Sequence, residues 1–157
     1  ALYVVNWGKS SPARPSGQPI QNDRVAKPAY DSEWEGERRA GTSSPLLEFT
    51  AADFSKAMAG ERLVVVYYYS PECISCIKEI QEIIAAFDTF ESDRVIGFLM
   101  NHQDSAVHNA IASIARENGI GIDNTKAFFR HGGRVLKAID PWDRERYLRE
   151  IDKFVPK

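Results

Sequence analysis

The motif Cys73-Ile74-Ser75-Cys76 contains the residues of this chain best suited to covalent chemistry, and these are its only two cysteines. The spacing puts the sulfurs about one helical turn apart, close enough to share a disulfide bond. The apolar run Leu63–Tyr69 precedes the motif, and a helical pattern begins directly after it. The motif therefore predicts a dithiol at a strand-to-helix junction. Cys73 would lie at the helix N-terminus, where unpaired N–H groups and the helix dipole favour a thiolate.

Thiol–disulfide exchange requires an accessible thiolate and a second thiol that releases the mixed disulfide. We expect Cys73 at the exposed end of the helix. Cys76 follows one turn deeper, on the side of Ile77 and Ile80, and is expected to be more buried. The acidic Glu72 directly before Cys73 is expected to oppose its ionisation. The pattern as a whole predicts a dithiol capable of thiol–disulfide exchange.

The composition excludes several other classes of function. The 157 residues are 43% hydrophobic and carry a net charge of −2, which gives no reason to expect nucleic acid as a partner. No apolar run approaches the roughly 20 residues that cross a bilayer. The chain has no dinucleotide or phosphate-loop motif, so we expect no cofactor.

The expected location follows from the cysteines and the first residue. Both cysteines belong to one motif, with no other thiol in the chain, which suits an oxidising compartment. The chain begins at Ala1 rather than Met, as a processed form or an expressed fragment would, and no signal peptide is visible in it. We therefore expect a periplasmic location or another secretory or envelope compartment.

Residues 1–45 differ from the rest of the chain, because they contain five of its eight prolines and show no sustained period. This composition is typical of an extended arm or linker, which is either disordered or ordered by a partner. Its aromatic residues favour binding to a protein partner, because aromatics are scarce in purely solvating tails; they are Tyr3, Trp7, Tyr30 and Trp34. We therefore predict an arm over residues 1–45 and one folded domain over residues 46–157.

From residue 46 onward the hydrophobic period predicts alternating strands and helices. We predict strands over 46–49, 62–69, 94–100, 126–130 and 134–139, and helices over 51–59, 74–90, 105–118 and from 143. Continuous apolar runs predict buried parallel strands joined by right-handed crossovers, and His131-Gly132-Gly133 predicts a hairpin turn. The predicted fold class is α/β, with a central mixed sheet of about five strands flanked by helices.

Two local predictions concern the helices. The helix after the dithiol is expected to bury one apolar stripe, made of Ile74, Ile77, Ile80, Ile84 and Phe87. The next helix is expected to begin after Ser105, whose hydroxyl would cap it.

This order of elements, with a dithiol at the start of the helix after the second strand, resembles the thioredoxin superfamily. The resemblance covers about residues 46–155, and the segment 119–132 is similar to the family's approach to its fourth strand and hairpin. It implies a thioredoxin-like fold and reversible thiol–disulfide exchange with protein substrates, in which Cys73 attacks and Cys76 resolves. It also implies that substrates contact residues beside the dithiol and in the loop facing it, which are Pro71, Glu72, Asn124 and Thr125.

The chain departs from the family's pattern at two positions. Tyr67 stands where thioredoxin has a buried aspartate that helps to move the resolving proton. Asn124 stands where the family has a cis-proline opposite the dithiol. A cis peptide before a non-proline residue costs about 2.5–4 kcal/mol, so we expect a trans bond and a different loop shape.

Three hypotheses on function remain open at the level of sequence. The first is thiol–disulfide exchange on protein substrates. The second is a non-catalytic thioredoxin-like interaction module, in which residues 1–45 dock into a larger assembly and the dithiol is structural. The third is a metal-handling protein, because two thiolates and an imidazole can hold copper or zinc. His102 is the candidate imidazole, whereas His108 and His131 are expected at the surface.

Overall fold

A computed structural model describes residues 33–157 of the chain. Residues 35–157 form one unit, in which strands and helices alternate in the predicted order. The strands are β1 Arg38–Ala40, β2 Leu46–Glu48, β3 Leu63–Tyr69, β4 Val95–Asn101, β5 Thr125–Arg130 and β6 Gly133–Ala138. The helices are α1 Ala51–Ala59, α2 Ile74–Thr89, α3 His108–Glu117 and α4 Arg144–Phe154.

The strands of the described residues form one mixed sheet in the order β1-β2-β4-β3-β5-β6. The three inner strands joined by helices, β2, β4 and β3, run parallel, while β5 and β6 pair antiparallel through the predicted hairpin. Helices α2 and α4 share a core cluster with one face of the sheet. Phe54 of α1 packs against Phe98 and Phe129 on the other face. The predicted α/β class with a thioredoxin-like order is confirmed, with six strands rather than five.

The additional strand, β1, lies within the stretch that the sequence analysis assigned to the arm. It pairs antiparallel with β2, and the compact unit that contains the sheet starts at Glu35, before the boundary expected at 45/46. The carboxylate of Asp53 in α1 holds this segment, because it accepts the backbone N–H groups of Glu35 and Gly36 at 2.9 and 2.7 Å. The earlier part of the predicted arm, residues 1–32, lies outside the described residues.

The predicted apolar stripe of α2 is correct only in its later turns. Ile80 and Phe87 are buried, but 77% of Ile74 and 44% of Ile77 are exposed. Cys76 and Glu79 occupy the buried face of these first turns instead. The core formed by the sheet and α4 therefore covers the side of α2 that carries Cys76 and Glu79 and leaves Ile74 and Ile77 exposed to solvent.

Helix α3 begins later than predicted. Residues 105–107 form a turn, in which Asp104 accepts the N–H of Ala106 at 3.0 Å. The helix starts at His108 after Val107, with no side-chain cap. The cap expected at Ser105 is therefore wrong, because Asp104 draws the chain into a turn instead. None of the described helices has the length and apolarity that a bilayer crossing requires.

Gly97 in β4 lies directly beneath the ring of Phe87 in α2. A Cβ added at Gly97 would lie 2.6 Å from the ring of Phe87 and 2.8 Å from Leu46. Both neighbours are fully buried, so neither side chain has space to move aside. We expect Gly97→Ala to lower the free energy of unfolding by about 1–3 kcal/mol through overpacking.

Urea denaturation followed by circular dichroism measures this loss. Gly121→Ala is the matched control, because a Cβ at Gly121 meets nothing within 4 Å. The control is expected to stay within about 0.5 kcal/mol of the parent protein. Equal stability of the two variants would contradict the described packing of α2 on β4.

Candidate active site

Cys73 and Cys76 form a disulfide bond, with their Cα atoms 5.2 Å apart. Cys73 is the N-cap residue of α2, and its sulfur accepts the backbone N–H of Cys76 at 3.2 Å. Cys73 is half-buried, whereas Cys76 is fully buried. The structure therefore places Cys73, which is partly exposed, at the helix cap and Cys76, which is fully enclosed, one turn later.

The chain between β3 and α2 presents Cys73. The N–H of Cys73 donates to the carbonyl oxygen of Ser70 at 3.1 Å, which closes a turn after the strand. Pro71 and Glu72, both predicted to contact substrates, are exposed in this turn. On the other side of Cys73 the hydroxyl of Ser75 lies 3.4 Å from its sulfur, and Ile74 is exposed. A protein that reaches Cys73 would meet these side chains first.

Asn124 lies beside the dithiol, in the loop between α3 and β5. Its φ of 74° is in the left-handed region, which Asn tolerates better than most residues. Its N–H donates to the carbonyl oxygen of Tyr68 at 2.8 Å. The hydroxyl of Tyr67 donates to the Asn124 side-chain oxygen and also lies 3.5 Å from the carbonyl oxygen of Cys76. One hydroxyl group therefore separates Asn124 from the inner cysteine.

Thr125, the fourth residue predicted to contact substrates, is almost fully buried. Its hydroxyl donates to the carbonyl oxygen of Ile122 at 2.6 Å. The side chain therefore supports the loop from inside, while Ile122 itself is 60% exposed.

Asp123 ties the same loop to two neighbouring loops. One of its oxygens lies 2.6 Å from Nε2 of His102, and the other accepts the hydroxyl of Ser70 at 2.9 Å. The His102 ring also stacks on Tyr68, with ring centroids 4.6 Å apart. The connections β3–α2, β4–α3 and α3–β5 thus meet at Asp123.

The three histidines considered for metal binding differ in their hydrogen-bond partners and in their exposure. His102 uses Nε2 for Asp123, and Nδ1 of His108 donates to the carbonyl oxygen of His102 at 2.6 Å. His131 is exposed in the β5–β6 hairpin. Within residues 33–157 no group of three His, Cys, Asp or Glu side chains is placed to hold a metal ion.

A buried ion pair that the sequence did not predict lies one turn after Cys76, on the same face of α2. Glu79, three residues after Cys76 on the same face of α2, lies 2.9 Å from Nζ of Lys126 in β5. Only 4% of Glu79 and none of Lys126 is exposed. Glu79 also accepts the hydroxyl of Tyr147 at 2.5 Å and the backbone N–H of Trp142 at 3.1 Å. A lysine within the apolar strand Lys126–Arg130 was the signal that could have revealed the pair.

Burial controls the electrostatics of this region. It lowers the pKa of Lys126, while the hydrogen bond and charge of Glu79 act in the opposite direction. Burial also raises the pKa of Tyr67, and the negative charges of Glu79 and Asp123 raise it further. Tyr67 therefore stays protonated around neutral pH and remains a hydrogen-bond donor to Asn124.

The chain is similar to known proteins in its structure, whereas no match was found at the level of sequence. No family model matches the chain, and no curated protein matches it. Oxidised thioredoxin O2 from Arabidopsis thaliana is 16% identical, with a TM-score of 0.57 over 74% of this chain and 100% of that chain. Thioredoxin from Aeropyrum pernix is 16% identical, with a TM-score of 0.57 over 76% of this chain and 94% of that chain. Thioredoxin from Malassezia sympodialis is 18% identical, with a TM-score of 0.57 over 76% of this chain and 94% of that chain.

Proposed function

Starting from the thioredoxin fold of this chain, we propose that the protein is a thiol–disulfide oxidoreductase that acts on protein substrates. The observation that carries the proposal is the disulfide at the first turn of α2, in which Cys73 is accessible and Cys76 is buried. This arrangement separates an attacking sulfur from a resolving one.

In the direction of substrate reduction, the thiolate of Cys73 attacks one sulfur of a substrate disulfide. A mixed disulfide forms, and the first substrate sulfur leaves as a thiolate. Cys76 then attacks the sulfur of Cys73, which re-forms the Cys73–Cys76 bond and releases the second substrate sulfur. Two electrons pass from the dithiol to the substrate. The proton of Cys76 is released when it attacks, and the proton of Cys73 was released to solvent when its thiolate formed, so the two substrate thiolates take up two protons and none is gained or lost overall. The reverse sequence oxidises a substrate dithiol.

The surroundings of each sulfur suit these steps. In the reduced protein the N–H of Cys76 and the N-terminus of α2 favour the thiolate of Cys73. Cys76 is shielded from solvent, so it reacts with the neighbouring mixed disulfide rather than with external oxidants. We propose that substrates contact exposed Pro71 and Glu72 and the backbone next to Asn124. Thr125 would act indirectly, through its bond to the loop.

We further propose that the protein works in an oxidising compartment, such as the periplasm or another secretory or envelope compartment. The support is compositional, because both cysteines of the chain belong to this one dithiol. Binding of a partner by residues 1–45 also stays a prediction.

A non-catalytic interaction module is the second candidate function. The observation in its favour is the loop facing the dithiol, which holds Asn124 in a left-handed conformation where related enzymes have a cis-proline. In that case the disulfide would only stabilise the fold, and the two cysteines would not undergo cycles of oxidation and reduction.

Two assays test the proposed activity in both directions. Catalytic amounts of protein are added to insulin with dithiothreitol, and to a scrambled disulfide protein in a glutathione buffer. We expect the parent protein to accelerate insulin reduction, refolding of the scrambled protein, or both. The variant Cys73→Ser/Cys76→Ser is expected to accelerate neither reaction. Equal rates for the parent protein and this variant in both assays would remove the enzymatic proposal in favour of the module. The reduction potential of the dithiol then sets the direction: about −270 mV indicates a reductant, and about −120 to −180 mV an oxidant or isomerase.

A further inference from the structure

We propose that Lys126 is a positioning residue for the loop that faces the dithiol, acting on the backbone of Asn124. The inference deepens the proposed function and rests on it, because it concerns how protein substrates dock beside Cys73. Lys126 does not touch either sulfur in the structure. It acts through the shape of the loop.

All the hydrogen-bonding capacity of the Lys126 ammonium group is used inside the protein. Nζ donates to the carbonyl oxygen of Asn124 at 3.1 Å and to that of Asp140, and it lies 2.9 Å from the carboxylate of Glu79. An ammonium group has three donors, so each has one partner. No part of the side chain is exposed, and solvent therefore cannot substitute for any of these bonds.

Asn124 needs such support because its conformation is rarely adopted by residues with side chains. Its φ is 74°, the residue is buried, and the hydroxyl of Tyr67 links its side chain to the backbone of Cys76. The carbonyl oxygen of Tyr68 fixes its N–H, the hydroxyl of Tyr67 fixes its side chain, and Lys126 fixes its carbonyl oxygen. A strained backbone persists where the surroundings hold it at several points, as they do here.

The same lysine links the loop to the helix that carries the dithiol. Glu79 lies on the buried face of α2 together with Cys76, and it binds Lys126 from that side. The ion pair therefore sets the position of the loop relative to α2. A substrate chain that docks on the loop meets a backbone that is already ordered, which reduces the entropy cost of binding. A small disulfide needs only the sulfur of Cys73 and makes no use of the loop.

The test separates these two kinds of substrate. Glu79→Gln/Lys126→Met removes the ammonium group without leaving a buried carboxylate unpaired. We expect the KM for a protein substrate to rise by about tenfold, since ordered binding is lost. The rate of reaction with a small aromatic disulfide is expected to stay within about twofold. Glu79→Gln/Lys126→Gln is the second variant, should the first not fold.

Lys137→Met is the matched control. Lys137 lies on the neighbouring strand β6 and also donates to a backbone carbonyl oxygen, that of Gly119 at 3.0 Å. Its substitution removes the same kind of bond from the other end of the same loop, at an exposed position where water can replace it, and so tests whether the effect is specific to Asn124. We expect neither rate to change in this variant.

Hydrogen exchange of the Asn124 amide provides a readout that needs no activity. We expect its exchange to become at least about tenfold faster in the double variant and to be unchanged in Lys137→Met. An unchanged KM, an unchanged amide exchange rate, or a proportional fall in the rates with both substrates would overturn the role of Lys126. If the parent protein catalyses no exchange, the proposed function fails, and the amide measurement alone decides whether Lys126 holds the loop.

Discussion

Cys76→Ser is expected to accumulate mixed disulfides with protein substrates, while Cys73→Ser accumulates none. Cys73 is partly exposed, and Cys76 is fully buried, so only Cys73 can attack first. Once the mixed disulfide has formed, Cys76 is the neighbour that releases it. Well-oriented intramolecular groups reach effective molarities of about 10⁵ M or more, so loss of Cys76 slows release by several orders of magnitude.

Non-reducing electrophoresis with mass spectrometry of the conjugates measures this result. Dithiothreitol must release the conjugates, and Cys73→Ser/Cys76→Ser must form none. Conjugation through Cys76 in the Cys73→Ser variant, to the same extent, would reverse the assigned roles. Such a result would also mean that α2 unwinds at its first turn, since Cys76 is closed to solvent in the folded protein.

Lys126→Met alone is expected to lower the free energy of unfolding by about 3–5 kcal/mol, because it leaves the buried charge of Glu79 without its counter-ion. The remaining partners of Glu79 are the Tyr147 hydroxyl and the Trp142 N–H, and neither carries a charge. A loss of this size is a large fraction of the roughly 5–15 kcal/mol that stabilises an ordinary domain.

Urea denaturation of four proteins measures this effect: the parent, Lys126→Met, Glu79→Gln/Lys126→Met and Arg39→Met. The double variant is expected to recover part of the loss, because no charge is then left unpaired, while the carbonyl oxygens of Asn124 and Asp140 still lack the lysine donor. Arg39 pairs with Glu48 at the surface, where each side chain is about one third exposed, so Arg39→Met is expected to cost at most about 1 kcal/mol. If Lys126→Met costs no more than Arg39→Met, Glu79 and Lys126 do not form a buried pair.

The fold was largely predictable because its signals are local. Runs of consecutive apolar residues predicted the buried strands, and the two glycines of His131-Gly132-Gly133 predicted the hairpin turn. The three-residue strand β1 was not predictable, because no period can be read in so short a segment. Its place depends on Asp53, which accepts the N–H groups of Glu35 and Gly36 from a helix that follows later in the chain.

The candidate site likewise has features that the sequence predicted and features that it did not. The Cys73–Cys76 spacing and the start of a helix at Ile74 are enough to place Cys73 at the helix cap and Cys76 one turn further along, since both follow from the geometry of a single helix. The exposure of Ile74 and Ile77 was not predictable, because it depends on where the sheet ends beneath α2.

The sequence alone determined the dithiol, its likeness to the thioredoxin superfamily and the order of the elements, because each depends on residues close together in the chain. Only the tertiary structure decided the partners of Lys126, which come from α2, from the loop before β5 and from the segment before α4. A lysine in an apolar strand signals that a counter-charge must lie nearby. Which charge it is depends on how elements far apart in the sequence pack together, and no local spacing contains that information.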